Sequence, residues 1–228
     1  SKLADVQTTI FTVMSALAQQ HGAINLSQGF PDFDGPPELL QRVQHYLTNG
    51  YNQYPPMAGV EPLRAAIADK VADLYGLRCS AEDDITITAG ATEALFCAIA
   101  AVVHAGDEVI LFDPCYDSYD PGIRLQGGVP VHVPLRAPDY GVDWNQVADA
   151  VSDKTRLIIV NTPHNPTGSV WDAADIAALR QLVADKNIYL LGDEVYEHII
   201  FDGRKHESLC RYPDLYQRSF VVSSFGKT

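Results

Sequence analysis

The chain is short of positive charge. Its 228 residues carry 16 Lys and Arg against 29 Asp and Glu, a net charge of −13. Nucleic acids and anionic membranes are gripped by cationic side chains that neutralise phosphates, so this deficit argues against either as the main partner. Cysteine is also sparse. Cys79, Cys97, Cys115 and Cys210 stand 18, 18 and 95 residues apart without a CxxC pair. That is too few for a disulfide framework in a chain this long, and it reads as four reduced thiols, buried as small apolar groups, in a cytoplasmic protein. The opening residues Ser1-Lys2-Leu3-Ala4-Asp5 show no basic region leading into an apolar stretch, so no signal peptide is visible. No apolar run approaches the roughly 18 residues that span a bilayer. Internal repeats, low-complexity tracts and long charge runs are missing as well. What is present is an ordinary globular composition, 46% apolar and 20% charged, long enough for one large domain or two modest ones.

The first third reads as helices separated by Gly/Pro-rich loops. A helix is predicted from Thr9 to Gln20, ended by Gly22, and a second from Glu38 to Leu47. Between and after them lie two breaker-dense loops, Gln28–Pro37 and Asn49–Gly59. Val60, Leu63, Ile67, Val71 and Leu74 then mark one apolar helix face. Beyond this, short β-branched runs alternate with helical stretches. Strands are expected at Ile85–Thr88, Glu108–Phe112, Val129–Val133, Arg156–Val160, Ile188–Leu191 and Phe220–Val222. Helices are expected from Glu93 to Val103, behind an N-capping Thr92, and after Asp172, whose partner Asp175 follows three residues on. The alternation implies an α/β fold with a mainly parallel sheet and helices on both faces.

In such sheets ligands bind beyond the carboxyl ends of the strands. Five expected strand ends lead into Gly90-Ala91-Thr92, Asp113-Pro114-Cys115-Tyr116, Asn161–Gly168, Gly192-Asp193-Glu194-Val195-Tyr196 and Ser223–Lys227. Together they offer a helix N-terminus, an aromatic ring, an amide, a carboxylate with a phenol, and an amine with hydroxyls. These groups suit one small anionic aromatic ligand. Two nucleotide motifs fail. Gly226-Lys227-Thr228 resembles the end of a P-loop, but Val221 occupies the position of its first glycine, and Ala89–Ala94 is not GxGxxG. Gly90–Thr92 remains a generic phosphate seat at a helix start.

Taken singly, each of these residues has an ordinary structural reading: Lys227 as a solvated lysine, Asp193 as a cap or half of an ion pair, Asn165 as a turn starter, and Tyr116, Tyr196, Tyr54 and Phe30 as packing aromatics. Together the stretches NTPHNPTG (Asn161–Gly168), GDEVY (Gly192–Tyr196) and SSFGK (Ser223–Lys227) resemble the fold-type I pyridoxal-phosphate aminotransferases, the aspartate aminotransferase superfamily of class I/II. The resemblance runs the length of the chain. It implies that Lys227 is the Schiff-base lysine and proton shuttle, that Asp193 pairs with the pyridinium nitrogen, and that Tyr196 and Asn165 hydrogen-bond the ring's 3′ oxygen. It further implies that Gly90, Ala91, Thr92 and Ser224 hold the phosphate and that Tyr116 stacks on the ring. Tyr54 resembles a tyrosine reaching the partner's phosphate across a homodimer interface, and Gly29, Phe30 and Phe11 match positions lining the substrate pocket. His164 is expected to be structural, and no metal is expected.

By the same resemblance, residues 1–48 form an N-terminal arm and part of a small domain, and residues 49–228 form the pyridoxal-phosphate-binding large domain. Members of the family continue well past the lysine, with arginines for the phosphate and the substrate carboxylate, so the chain is expected to be a fragment of a longer enzyme. The segment Thr8–Ala18 and the Gln28–Pro36 loop resemble the methionine- and aromatic-preferring branch, near the kynurenine/glutamine aminotransferases. The expected activity is ping-pong transfer of an amino group from methionine or an aromatic amino acid to a 2-oxo acid. A cysteine-S-conjugate β-lyase on the same scaffold and a non-catalytic aminotransferase-like sensor domain are the alternatives.

Overall fold

The computed structural model describes residues 2–29 and 31–227. The chain divides into two compact units, Leu3–Met57 and the residues from Ala58 onward. The first unit contains α1 (Ile10–His21) and α2 (Pro37–Thr48). Thr9 caps α1, its hydroxyl accepting from the Thr12 N–H, and Gly22 closes the helix at φ 59°, the left-handed conformation that glycine adopts without strain. Pro37 occupies the first turn of α2, where no amide hydrogen is required. The Asn25 amide donates to the Ser15 hydroxyl at 3.0 Å, and that hydroxyl donates to Gln28 at 3.3 Å, tying the following loop to α1.

The second unit carries the sheet. Its elements are α3 (Glu61–Tyr75), α4 (Ala91–Val102), β1 (Glu108–Asp113), α5 (Tyr119–Leu125), β2 (Val129–Pro134), α6 (Trp144–Ala150), β3 (Thr155–Asn161), α7 (Ala173–Val183), β4 (Tyr189–Asp193), α8 (Pro213–Tyr216) and β5 (Ser219–Val222). The strands are parallel throughout and lie in the order β2-β1-β3-β4-β5.

Strand side chains alternate between two cores, as the period of two requires. Ile110, Phe112, Ile158, Val160 and Leu190 face one core with Ile176, Leu179 and Val183 of α7 and Val147 of α6. Val109, Leu111, Leu157, Ile159, Leu191 and Val222 face the other with Leu95, Ile99 and Val102 of α4 and Ile123 of α5. The expected α/β fold with helices on both faces of a parallel sheet is therefore present. Asp172 caps α7 in a reciprocal capping box with Asp175.

Three expectations are corrected. Ile85–Thr88 forms no strand; its β-branched pattern is used in packing, because a Cβ on Gly59, at φ +97°, would collide with Ile87, whose N–H donates to the Ala58 carbonyl at 3.0 Å. Thr92 is not the cap of α4. The helix begins at Ala91, two residues before the expected Glu93, and Gly90 occupies the cap position at φ +84°, which a threonine would reach only with strain. The thiols are not uniformly buried: Cys210 is, Cys79 and Cys115 are half-buried, and Cys97 is exposed. The short helices α5 and α6 escape a periodicity reading because each holds only seven residues, two turns.

Ile158 is fully buried at the centre of the sheet. Ile158→Ala is expected to lower unfolding free energy by about 2–5 kcal/mol, the range for truncating a buried aliphatic side chain, as read from the denaturant midpoint at unchanged slope.

Candidate active site

The strand order reverses direction at β1 and β3: β2 lies outside β1 on one side, and the chain crosses back to β3 on the other. The helices that follow these two neighbours, α5 and α7, pack on opposite faces, the arrangement that in such sheets favours ligand binding beyond the carboxyl ends. Tyr116 and Tyr119 follow β1, Asn165 follows β3, and Asp193 ends β4.

Asp193 is 4% exposed. Its Oδ2 accepts the Tyr119 hydroxyl at 2.5 Å and its Oδ1 accepts the Val195 N–H at 3.4 Å. Burial pushes its carboxyl above the ordinary range, against the opposing pull of those two donors. Burial, then the Asp193 charge, pushes the Tyr119 phenol well above its ordinary value, so this hydroxyl keeps its proton and donates. Tyr116 meets the Tyr119 ring edge-on with centroids 5.7 Å apart.

Asn161, at the end of β3, holds two strand ends together. Its amide donates to the Asp193 carbonyl at 2.9 Å and to the Pro163 carbonyl at 3.3 Å, while its oxygen accepts the Asn165 N–H at 2.8 Å. The Asn165 amide then donates to the Tyr196 hydroxyl at 3.3 Å. The Lys227 Nζ lies 5.8 Å from the centre of the Tyr196 ring. Burial and the nearby Asp193 charge push the Tyr196 phenol up. His164 is buried and its Nδ1 lies 2.8 Å from the Thr167 hydroxyl; burial holds its pKa below the usual imidazole value, so it stays neutral.

At the start of α4, Gly90 turns the chain without a side-chain cap, leaving first-turn N–H groups directed outward. Gly90, Ala91 and Ser224 line one groove of about 1060 Å³; Thr92 does not line it. Ser224 accepts the Gly226 N–H at 3.1 Å, which shapes the turn before Lys227. Of the other sequence candidates, Phe11, Gly29 and Tyr54 belong to the first compact unit, where Phe11 is half-buried and Tyr54 is 99% exposed. Phe30 lies outside the described residues.

Two buried acids beside Asp193 were not singled out by sequence. Glu194 accepts the Leu209 N–H at 2.9 Å and lies 2.7 Å from His206 Nε2. Glu197 accepts from Lys70 at 2.7 Å, from Ser223 at 2.5 Å, and from the Tyr75 hydroxyl. Glu194 lies inside the stretch GDEVY and Glu197 directly after it, but their donors are up to 127 residues away in sequence, and no local pattern announces them. Tyr119 likewise stands one helical turn past Tyr116, a spacing that reads equally well as core.

Burial alone would raise the Glu197 carboxyl; the hydrogen bonds from Lys70, Ser223 and Tyr75 outweigh it and hold the group below its ordinary value of 4.5. A depressed folded-state pKa means that the stability Glu197 contributes is complete above about pH 4.5 and is lost as pH falls through the lower folded value. Glu197→Gln is expected to flatten the acid limb of a stability–pH curve measured by urea unfolding between about pH 7 and 3. A limb as steep as in the unaltered protein contradicts the assignment.

Residues 21–228 match the family model described as aminotransferase class I and II. The chain is 57% identical to the methionine aminotransferase of Escherichia coli over 228 residues, which is all of this chain and 59% of that protein. It is 43% identical over 230 residues to a probable N-succinyldiaminopimelate aminotransferase of Mycobacterium tuberculosis, covering 58% of it. A crystal structure of an Escherichia coli protein for which a methionine aminotransferase function was identified superposes with a TM-score of 0.95 at 56% identity, covering all of this chain and 59% of that one. The chain thus spans about three fifths of the length of these relatives. Strand-end chemistry, sheet order and relatives agree, and the chain belongs to the aminotransferase class I and II family.

Proposed function

We propose that this chain is the cofactor-binding portion of a pyridoxal-phosphate-dependent aminotransferase that moves an amino group from methionine or an aromatic amino acid to a 2-oxo acid in a ping-pong cycle. The observation that carries the reading is Asp193. Among the described residues this buried carboxylate has neutral donors but no ion-pair partner. A buried anion without a cation is expensive, and a protonated ring nitrogen is a group that would relieve it. The rest of the donor set fits the same ligand: uncapped N–H groups and a hydroxyl for a phosphate, a phenol and an amide side by side for a ring oxygen, and a primary amine beside them.

When bound, the cofactor supplies an aldehyde that captures amino groups and a cationic ring that disperses charge from a substrate carbon. In this reading Asp193 holds the proton on the ring nitrogen, with Tyr119 keeping the carboxylate aimed. Tyr196 and Asn165 orient the ring through its 3′ oxygen, and Tyr116 covers one face. Gly90, Ala91, Thr92 and Ser224 bind the phosphate. Lys227 supplies the amine that holds the cofactor, and its Nζ, once released, carries a proton from the substrate's Cα. Gly29 and Phe11 would serve substrate recognition, and Tyr54 would serve the site of the second protomer in a homodimer. Residues 1–48 then belong to the N-terminal arm and small domain, residues 49–228 form the cofactor domain, and the enzyme works in the cytoplasm. The choice of methionine or aromatic donors is supported by the relatives named as methionine aminotransferase and, at 32% identity, human kynurenine--oxoglutarate transaminase 3.

The test is the visible absorption of the intact protein. A band that bleaches with methionine and returns with a 2-oxo acid is the expected outcome; release of pyruvate and ammonia from a cysteine conjugate without an acceptor would instead identify a β-lyase. Lys227→Ala is expected to slow the methionine half-reaction by at least about 10²–10⁴-fold, the contribution of a positioned proton-transfer group, in stopped-flow absorbance. Cycling at the unaltered rate refutes the role of Lys227.

A further inference from the structure

At the outer edge of the sheet, three different metal-ligating side chains converge. Asp113 ends β1, Cys115 follows two residues later, and His132 projects from the edge strand β2. One donor atom from each lies within 4.8 Å of the other two. His132 Nδ1 is 2.9 Å from Asp113 Oδ2, and its opposite nitrogen, Nε2, is 3.4 Å from Asp120 Oδ2 in the first turn of α5. Asp120 is itself held by Arg124 at 3.3 Å.

We propose that Asp113, Cys115 and His132 form a binding site for a zinc-type divalent cation, with Asp120 as the outer carboxylate that orients the imidazole. The mix of one carboxylate oxygen, one thiolate sulfur and one imidazole nitrogen is a borderline-soft set suited to zinc, and unsuited to calcium or magnesium, which take oxygen ligands. Two anionic ligands neutralise a divalent charge. Asp120 on the far ring nitrogen is the second observation. Metal-bound imidazoles donate their other N–H to a carboxylate, which fixes the tautomer and presents the first nitrogen to the ion. Here Asp120 takes Nε2–H and leaves Nδ1 for the metal, on the side where Asp113 and Cys115 stand. Tetrahedral bonds of about 2.0–2.3 Å place ligand atoms roughly 3.5 Å apart, so side-chain rotation of about an ångström closes the set. The fourth position is left to water or an added ligand.

Binding exchanges a proton for the ion. The Cys115 thiol, pushed up to about 12 by burial and by Asp113, is protonated beforehand and releases H⁺ as the sulfur–metal bond forms. A plain ion-pair reading explains part of the geometry: a protonated His132 bridging Asp113 and Asp120, toward which those two carboxylates raise it against burial. In that reading the Cys115 thiol only donates to Asp113, whereas the metal account needs its sulfur as a ligand, and the two accounts separate there. In the metal account the ion clips the edge strand β2 to the end of β1 and anchors the residue preceding Tyr116.

The intact protein with its cofactor would be dialysed against Zn²⁺ and, separately, titrated with Co²⁺. Expected are one equivalent of zinc above the Cys115→Ser protein, a thiolate-to-cobalt absorption band absent from Cys115→Ser and His132→Gln, and affinity about 10–100-fold weaker in Asp120→Asn. Circular dichroism of each variant establishes that it is folded. Failure to bind, a cobalt–thiolate band that survives Cys115→Ser, or zinc affinity unchanged in His132→Gln overturns the site.

Discussion

Three carboxylates within five residues, those of Asp193, Glu194 and Glu197, lie almost wholly out of water at the carboxyl end of β4. A buried carboxylate is tolerable only with donors on its oxygens, and each of these acids takes its donors from a different part of the second unit. Asp193 draws on Tyr119 of α5, Glu194 on His206 and the backbone at Leu209, and Glu197 on Lys70 and Tyr75 of α3 and on Ser223 past β5. Packing of α3, α5 and the 195–209 segment is therefore referenced to one strand end. The hydrophobic cores above and below the sheet set the layers; this polar junction sets where the layers stop.

The three acids are treated unequally, and the inequality has chemical meaning. Glu197 has a cation and two hydroxyls and is held firmly ionised. Glu194 stands against an imidazole whose other nitrogen, Nδ1, is buried without a partner among the described residues. Asp193 has only uncharged donors, and burial dominates its proton affinity. Of the three, it is the one with no ion-pair partner among the described residues.

The sheet was legible in the chain because its strands are short, β-branched and separated by helices with recognisable starts, such as the Asp172–Asp175 pair. Ile85–Thr88 misled because composition reports fitness for a pleated surface and not the presence of a neighbour to pair with. Thr92 misled for a related reason: a threonine before a helical run is a common cap, but a positive φ at the turn selects glycine, and the torsion is invisible in sequence. Asp193, Asn165, Tyr196 and Lys227 stood out because each follows a strand and three motifs fall in register. Tyr119, Asn161, Lys70 and Ser223 did not, since their importance lies in whom they touch across 26 to 127 residues of chain. First contacts are written in residue type, whereas the braces behind them are written in topology.

Asn161 shows how narrow such a brace is. Its side chain must point one way, nitrogen toward two carbonyl oxygens and oxygen toward an amide hydrogen. Spontaneous hydrolysis of that amide to a carboxylate would leave the shape almost unaltered yet set a negative oxygen against the Asp193 and Pro163 carbonyls in a nearly dry setting. The junction between β3 and β4 thus tolerates no isosteric ageing at this position.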